Sequence, residues 1–216
     1  MQRAFGDVWG QAFREAAGDV PFAGRTDAWI VGQVAASQGV EVTPADVTRF
    51  RDAYLRHLPE ELQKPGPRKG IMPGVRELLD HLSGRDDVYL ALLTGNFEGG
   101  ARAKLEYFDL WRYFCGGGFG DTAVDRNHLV DVALDAVVRS GGPRVHPAQA
   151  VVIGDTPLDV ACAASAGAGC IAVATGGFDP AALCAAGAES VFQNLSETAA
   201  VVAEIERLTG GRVIVD

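Results

Sequence analysis

Two acids four positions apart, Asp155 and Asp159, close the segment VVIGDTPLD (151–159). Carboxylates at the end of a strand and in the first turn of the following helix can converge on one hard cation. Magnesium suits such a pair, because it takes one or two carboxylates and completes its shell with water and substrate phosphate. Asp159 by itself would equally favour a helix N-terminus and need no cation. Two other runs also end in polar residues. VYLALL (88–93) runs into Thr94, Gly95 and Asn96. There a hydroxyl and the free N–H groups of a helix start could hold an anion, although the same residues make an ordinary turn and cap. After FCGGGFG (114–120) come Asp121 and then Asp125, Arg126 and Asn127. Arg126 is either a surface cation or a phosphate clamp.

These residues can meet only if the elements before them share a sheet. From residue 75 onward, helical patterns at 75–82, 98–107, 127–140, 158–166, 180–186 and 196–208 alternate with apolar runs at 88–93, 114–120, 150–154, 170–175 and 190–193. That alternation predicts an α/β core with a parallel sheet and helices on both faces. Ligands of such sheets lie beyond the carboxyl ends of the strands, where all three polar clusters fall. The first 62 residues instead read as helix throughout. Phe5, Val8, Trp9, Ala12 and Phe13 follow helical spacing. Thr26 can cap a helix over 27–38, and Thr43 with Pro44 opens another over 44–57. The Pro- and Gly-rich KPGPRKGIMPG (64–74) marks the change. The chain therefore divides into a helical unit, 1–67, and an α/β core, 68–216.

The bulk properties narrow the function. The 216 residues are 48% hydrophobic and 22% charged, with a mean hydropathy of +0.08, as in ordinary globular proteins. A net charge of −9 disfavours extended contact with nucleic-acid backbones. No apolar run has the length of a membrane span, and the first residues lack the apolar core of a signal peptide. Cys115, Cys162, Cys170 and Cys184 show no CxxC spacing and read as small core residues in a reducing cytoplasm. No GxGxxG follows a strand, which disfavours a dinucleotide site. His57, His81, His128 and His146 share no spacing and read as structural or surface residues, and Lys104 as part of a solvated helix face.

A hydroxyl after one strand, a cation after the next and an acid pair after a third, in that order, resemble the haloacid dehalogenase (HAD) superfamily of hydrolases, nearest its phosphoglycolate-phosphatase-like members. LLTGN is similar to the family's second motif and GDTPLD to its fourth. Arg126 stands where the family usually has lysine, which makes DRN a departure. The helical unit resembles the family's mobile cap, and MPGVRELLDHL the segment that returns from cap to core. The resemblance covers nearly the whole chain and implies a Rossmann-like sheet with an all-helical cap. It also implies a phosphatase in which Thr94, Gly95 and Asn96 bind the transferring phosphoryl group. Arg126 would neutralise charge in a catalytic role, and Asp155 and Asp159 would hold Mg²⁺ directly or through water. Arg25, in GRTD at the start of the second cap helix, becomes a candidate contact for the far end of a small phosphorylated metabolite, with a surface arginine the equal alternative. An intact acid pair favours phosphate over carbon–halogen chemistry, and phosphoryl transfer is mostly positioning plus charge neutralisation. A cytoplasmic monomer or weak dimer is expected.

One part of the pattern is not found. The family's first motif is a strand ending in DxDGT, whose first Asp is the nucleophile. No DxD occurs in the chain, and Asp7, Asp19, Asp27, Asp46 and Asp52 lack a preceding apolar strand. The expectation is a chain numbered from an internal methionine, inactive as it stands; a non-catalytic phosphate- or metal-binding relative is the alternative. GGRVIVD (210–216), a short β-branched run ending in Asp216, could fill the place of the missing strand or form an edge strand or a tail.

Overall fold

The computed structural model describes every residue except 67, 68, 122–124, 211–213 and 216. Four helices come first: α1 (Gln2–Trp9), α2 (Gln11–Ala16), α3 (Asp27–Ser37) and α4 (Pro44–Gln63). The Thr26 hydroxyl caps α3 by accepting from the Trp29 N–H at 3.1 Å. Thr43 and Asp46 form a reciprocal capping box on α4, with Pro44 in its first turn. Helix α4 runs beyond the expected end at 57 and through Pro59. Its buried face, Phe50, Ala53, Tyr54 and Leu58, holds it against the other helices, and Arg3 of α1 grips Glu60 at 2.7 Å and Glu61 at 3.0 Å in its last turn. Packing thus overrides the hydrogen bond that the proline removes. The buried side chains of this unit form one cluster, with the Phe5 and Phe50 rings 4.4 Å apart.

After the linker come α5 (Val75–Ser83), β1 (Leu92–Leu93), α6 (Glu98–Tyr107), β2 (Gly117–Gly118), α7 (Leu129–Arg139), β3 (Ala150–Gly154), α8 (Pro157–Ala166), β4 (Gly169–Val173), α9 (Pro180–Ala185), β5 (Ser190–Phe192), α10 (Thr198–Thr209) and β6 (Ile214–Val215). All strand pairs are parallel. The expected single sheet is realised as two. One holds β1 and β2, and the other runs β5-β4-β3-β6. Alternation along β3 and β4 feeds two cores: Val151, Ile171 and Val173 pack on one side, and Ala150, Val152, Cys170 and Ala172 on the other. Burial on both faces explains why these strands read as continuous apolar runs.

The run 88–93 narrows to a two-residue strand. Among the described residues it pairs on one side only, through the Leu92 N–H on Gly116 O at 2.8 Å and the Thr94 N–H on Gly118 O at 2.9 Å. Glycine is needed opposite it, since a Cβ at Gly117 would lie 2.3 Å from Leu92 O. The RVIVD run does form a strand. β6 lies on the side of β3 away from β4, with Ile214 opposite Ala150 and Val215 opposite Val151, so it accompanies only the first residues of β3. Asp216 lies outside the described residues. Cys162 and Cys170 are core residues, and burial pushes the Cys170 thiol up to about 12, which keeps it inert. Cys115 and Cys184 are exposed rather than buried. No helix among the described residues is long and apolar enough to cross a membrane.

Candidate active site

A cavity of about 830 Å³ lies where the helical unit meets the carboxyl ends of β1 and β3. Thr94, Gly95, Asn96, Arg126, Asp155 and Asp159 all line it, and so does Arg25 from the start of α3. Three chain segments interlock around the Thr94 turn. The Asp27 N–H donates to Gly95 O at 2.6 Å, and the Gly120 N–H donates to Asn96 O at 2.8 Å. The Asp27 carboxylate accepts from the Phe97 N–H at 2.8 Å. A Cβ on Gly95 would lie 2.2 Å from Arg25 O, so only glycine lets the helical unit approach this closely. Phe97 then turns its ring into the cluster of the helical unit and is fully buried there. The turn that carries Thr94 is therefore fastened to both halves of the chain.

Arg126 sits in a single tight helical turn, Arg126–His128, and its side chain reaches back across the end of β1. Its Nη2 meets Asp159 Oδ1 at 2.5 Å, with both side chains largely buried. The other oxygen of Asp159 accepts from the Thr156 N–H at 3.0 Å and the Thr156 hydroxyl at 2.8 Å. Asp159 and Thr156 thereby form the capping box of α8, whose approach needs Gly154, because a Cβ there would meet the Asp159 side chain at 2.3 Å. Asp159 caps the helix, as one reading of it expected, and its charge at the cavity is paired with the Arg126 guanidinium. Its two oxygens are engaged, so it can join Asp155 around a metal only where Arg126 gives way. Arg126 Nε is buried without a hydrogen-bond partner among the described residues, and a buried, unpaired N–H is costly unless something fills its place.

Asp155 differs from Asp159. Burial is the main cause that raises its pKa above the ordinary carboxylate value; the Asp159 charge adds to the effect and Arg126 opposes it. Such a carboxylate is poised to take a cation. Among the described residues no cluster of three or more metal-ligating side chains occurs. The acid pair Asp155 and Asp159 is the donor set of an ion that relies on one or two carboxylates and otherwise on water and ligand oxygens, as magnesium does.

Two residues that the sequence reading set aside also face the cavity. Lys104 lines it and donates to Asn96 Oδ1 rather than sitting on a solvated face, so that expectation is corrected. Burial lowers its pKa, against the charge of Asp27. The helix face was marked by Gly100 and Ala101, small residues one turn before Lys104. A Cβ on Gly100 would lie 2.9 Å from the Tyr54 ring, so this side of α6 packs inward. Asp27 is the second: buried, with its pKa raised by desolvation above all. Its partner Phe97 is too remote in sequence for any local pattern to announce it. His57 also borders the cavity, paired with Asp7 Oδ2 at 2.6 Å. Arg25 stacks on Trp29, with its guanidinium carbon 4.3 Å from the ring centre.

The haloacid dehalogenase-like hydrolase pattern matches residues 6–164. No curated protein matches the chain. Among solved structures, a hydrolase from Pseudomonas syringae is 21% identical, with 94% of this chain and 93% of that chain covered and a TM-score of 0.61. A predicted phosphoglycolate phosphatase from Haemophilus somnus is 18% identical, with coverage of 92% and 87% and a TM-score of 0.63. A predicted phosphatase from Clostridium acetobutylicum is 16% identical, with coverage of 94% and 91% and a TM-score of 0.62. At these identities the structural likeness speaks for the fold, and the family rests on the sequence match. With the cavity at the strand ends and that match over most of its length, the chain belongs to the haloacid dehalogenase-like hydrolases.

Proposed function

We propose that the cavity binds the phosphoryl group of a small phosphorylated metabolite together with Mg²⁺, in a site of the phosphoric monoester hydrolase type whose nucleophile no described residue supplies. The observation that carries this reading is the meeting of Thr94, Arg126 and Asp155 at one cavity, in a chain of this family. Thr94 and the Gly95 N–H hold phosphoryl oxygens, while the Asn96 N–H is engaged by the Thr94 hydroxyl oxygen. Arg126 supplies the positive charge that a transferring phosphoryl group needs. Asp155 holds the metal, with Asp159 behind it as the anchor of Arg126. Magnesium, when bound, supplies charge neutralisation at the phosphoryl oxygens. Arg25, held over Trp29, meets the far end of the substrate. A phosphorylated two-carbon acid fits the likeness to the Haemophilus somnus protein.

The nucleophile is the gap in this scheme. No DxD occurs in the chain. Asp27, a carboxylate at the cavity, is buried and occupied by the Phe97 N–H, and its pKa is raised, which leaves it a poor attacking group. The 216 residues therefore bind ligand without turning it over. This observation also favours a second reading, a phosphate-responsive regulatory protein. Calorimetric titration with inorganic phosphate tests the binding site. Wild-type chain should bind more tightly with magnesium than without. Asp155→Asn should lose the magnesium effect, and Thr94→Val should lose about tenfold in affinity, the effect of one hydrogen bond to a charged group. Equal affinity in all three proteins would refute the site.

A further inference from the structure

Lys104 and Asn96 together decide which way the Thr94 hydroxyl faces. An ammonium group can only donate hydrogen bonds, and Lys104 donates to Asn96 Oδ1. That contact fixes the carboxamide, with its oxygen towards Lys104 and its nitrogen towards Thr94. Asn96 Nδ2 stands 2.7 Å from Thr94 Oγ1, and the Asn96 backbone N–H reaches the same oxygen at 3.2 Å. A hydroxyl carries two acceptor lone pairs and one proton. Both lone pairs are taken, so the proton remains to be offered to the cavity that Thr94 lines. With the carboxamide reversed, Thr94 would donate to Asn96 and present lone pairs to the cavity, which repel an anion.

We infer that Lys104 is a positioning residue for phosphate binding: acting through Asn96, it holds the Thr94 hydroxyl as a donor into the cavity. The inference rests on the reading of the cavity as a phosphoryl site and adds to it a buried lysine of α6. The placement of Lys104 is built into the fold. Gly100 brings α6 against Tyr54, and the Lys104 ammonium lies 5.9 Å from the centre of that ring. Burial lowers the Lys104 pKa and the charge of Asp27, which faces the same space, opposes that effect.

A double-mutant cycle separates this role from that of a plain counter-charge. Inorganic phosphate is titrated calorimetrically, with magnesium present, into the wild-type chain, Lys104→Met, Thr94→Val and the double variant. Lys104→Met should weaken binding about tenfold, the same loss as Thr94→Val, because the hydroxyl no longer donates to the anion. Lys104→Arg, which keeps a donor, should recover most of the loss, and in the Thr94→Val background Lys104→Met should cost nothing further. Equal losses in the two backgrounds would overturn the inference and make Lys104 a direct counter-charge. Asn96→Ala cuts the relay without touching the buried lysine and should match Lys104→Met even if the latter folds poorly. Wild-type affinity in Asn96→Ala would also overturn the inference. Heteronuclear NMR of the Asn96 carboxamide reads its orientation with no ligand present. Its resonances should change in Lys104→Met and persist in Lys104→Arg, and an unchanged spectrum in Lys104→Met would refute the relay. If the wild-type chain binds no phosphate while the Asn96 resonances behave as expected, the phosphate reading falls and the orientation of Thr94 stands.

Discussion

At the scale of single residues, the cavity is a set of charges held against their preference. Asp155 is the clearest case, because its pKa is raised in the folded state. A raised carboxylate pKa means that the folded chain binds the proton more tightly than the unfolded chain. The contribution of Asp155 is therefore favourable at low pH and is lost as pH rises through the ordinary value of 3.8 to the raised one. At pH 7 without metal it is a net cost. Asp155→Asn should thus raise the melting temperature at neutral pH, the difference should vanish below about pH 4, and magnesium should stabilise the wild type alone. Scanning calorimetry at several pH values checks all three; a lower melting temperature for Asp155→Asn at pH 7 would contradict the account. Replacing Arg126 should act on stability in the opposite direction. Arg126→Met leaves Asp159 buried and unpaired, and a broken buried pair costs about 3–5 kcal/mol. Denaturant unfolding should show a loss of that order, with Asp159→Asn in the same background restoring part of it. The sequence made Thr94, Arg126, Asp155 and Asp159 visible because each follows an apolar run. It could not show that Asp159 spends both oxygens on Thr156 and Arg126, since two acids at that spacing serve a helix cap and a metal equally well.

At the scale of elements, the site depends on how one turn joins two units. The sequence separated the helical stretch from the alternating one, because a change of hydrophobic period is legible without knowledge of contacts. It overstated the strand at 88–93, where apolar residues are buried by packing rather than by pairing on both sides. It could not foresee two sheets in place of one, because pairing order is a property of residues distant in the chain. The fastening of the turn is equally non-local. Phe97 belongs by sequence to the sheet half and by packing to the helical unit. Phe97→Ala should cost about 3–5 kcal/mol, as for other large core truncations, and should loosen the helical unit first. Hydrogen exchange followed by mass spectrometry should show faster exchange in α3 and α4 than in β3 and β4; uniform acceleration would mean that the two units unfold as one.

At the scale of the whole molecule, a hydrolase fold places a cavity between strand ends and a helical unit, yet carries no DxD. In the proposed site Thr94, Arg126 and Asp155 would supply positioning and neutralisation of charge, but attack at phosphorus is assigned to no described residue. The loss of a nucleophile that works as part of a unit costs several orders of magnitude in rate. The most direct test is hydrolysis of p-nitrophenyl phosphate by the purified 216-residue chain, with magnesium and again with a chelator. The account predicts release of p-nitrophenol no faster than the buffer blank in either condition, from a protein that binds phosphate in the same buffer. Robust release that the chelator abolishes would contradict it and would point to an acid of this chain as the nucleophile.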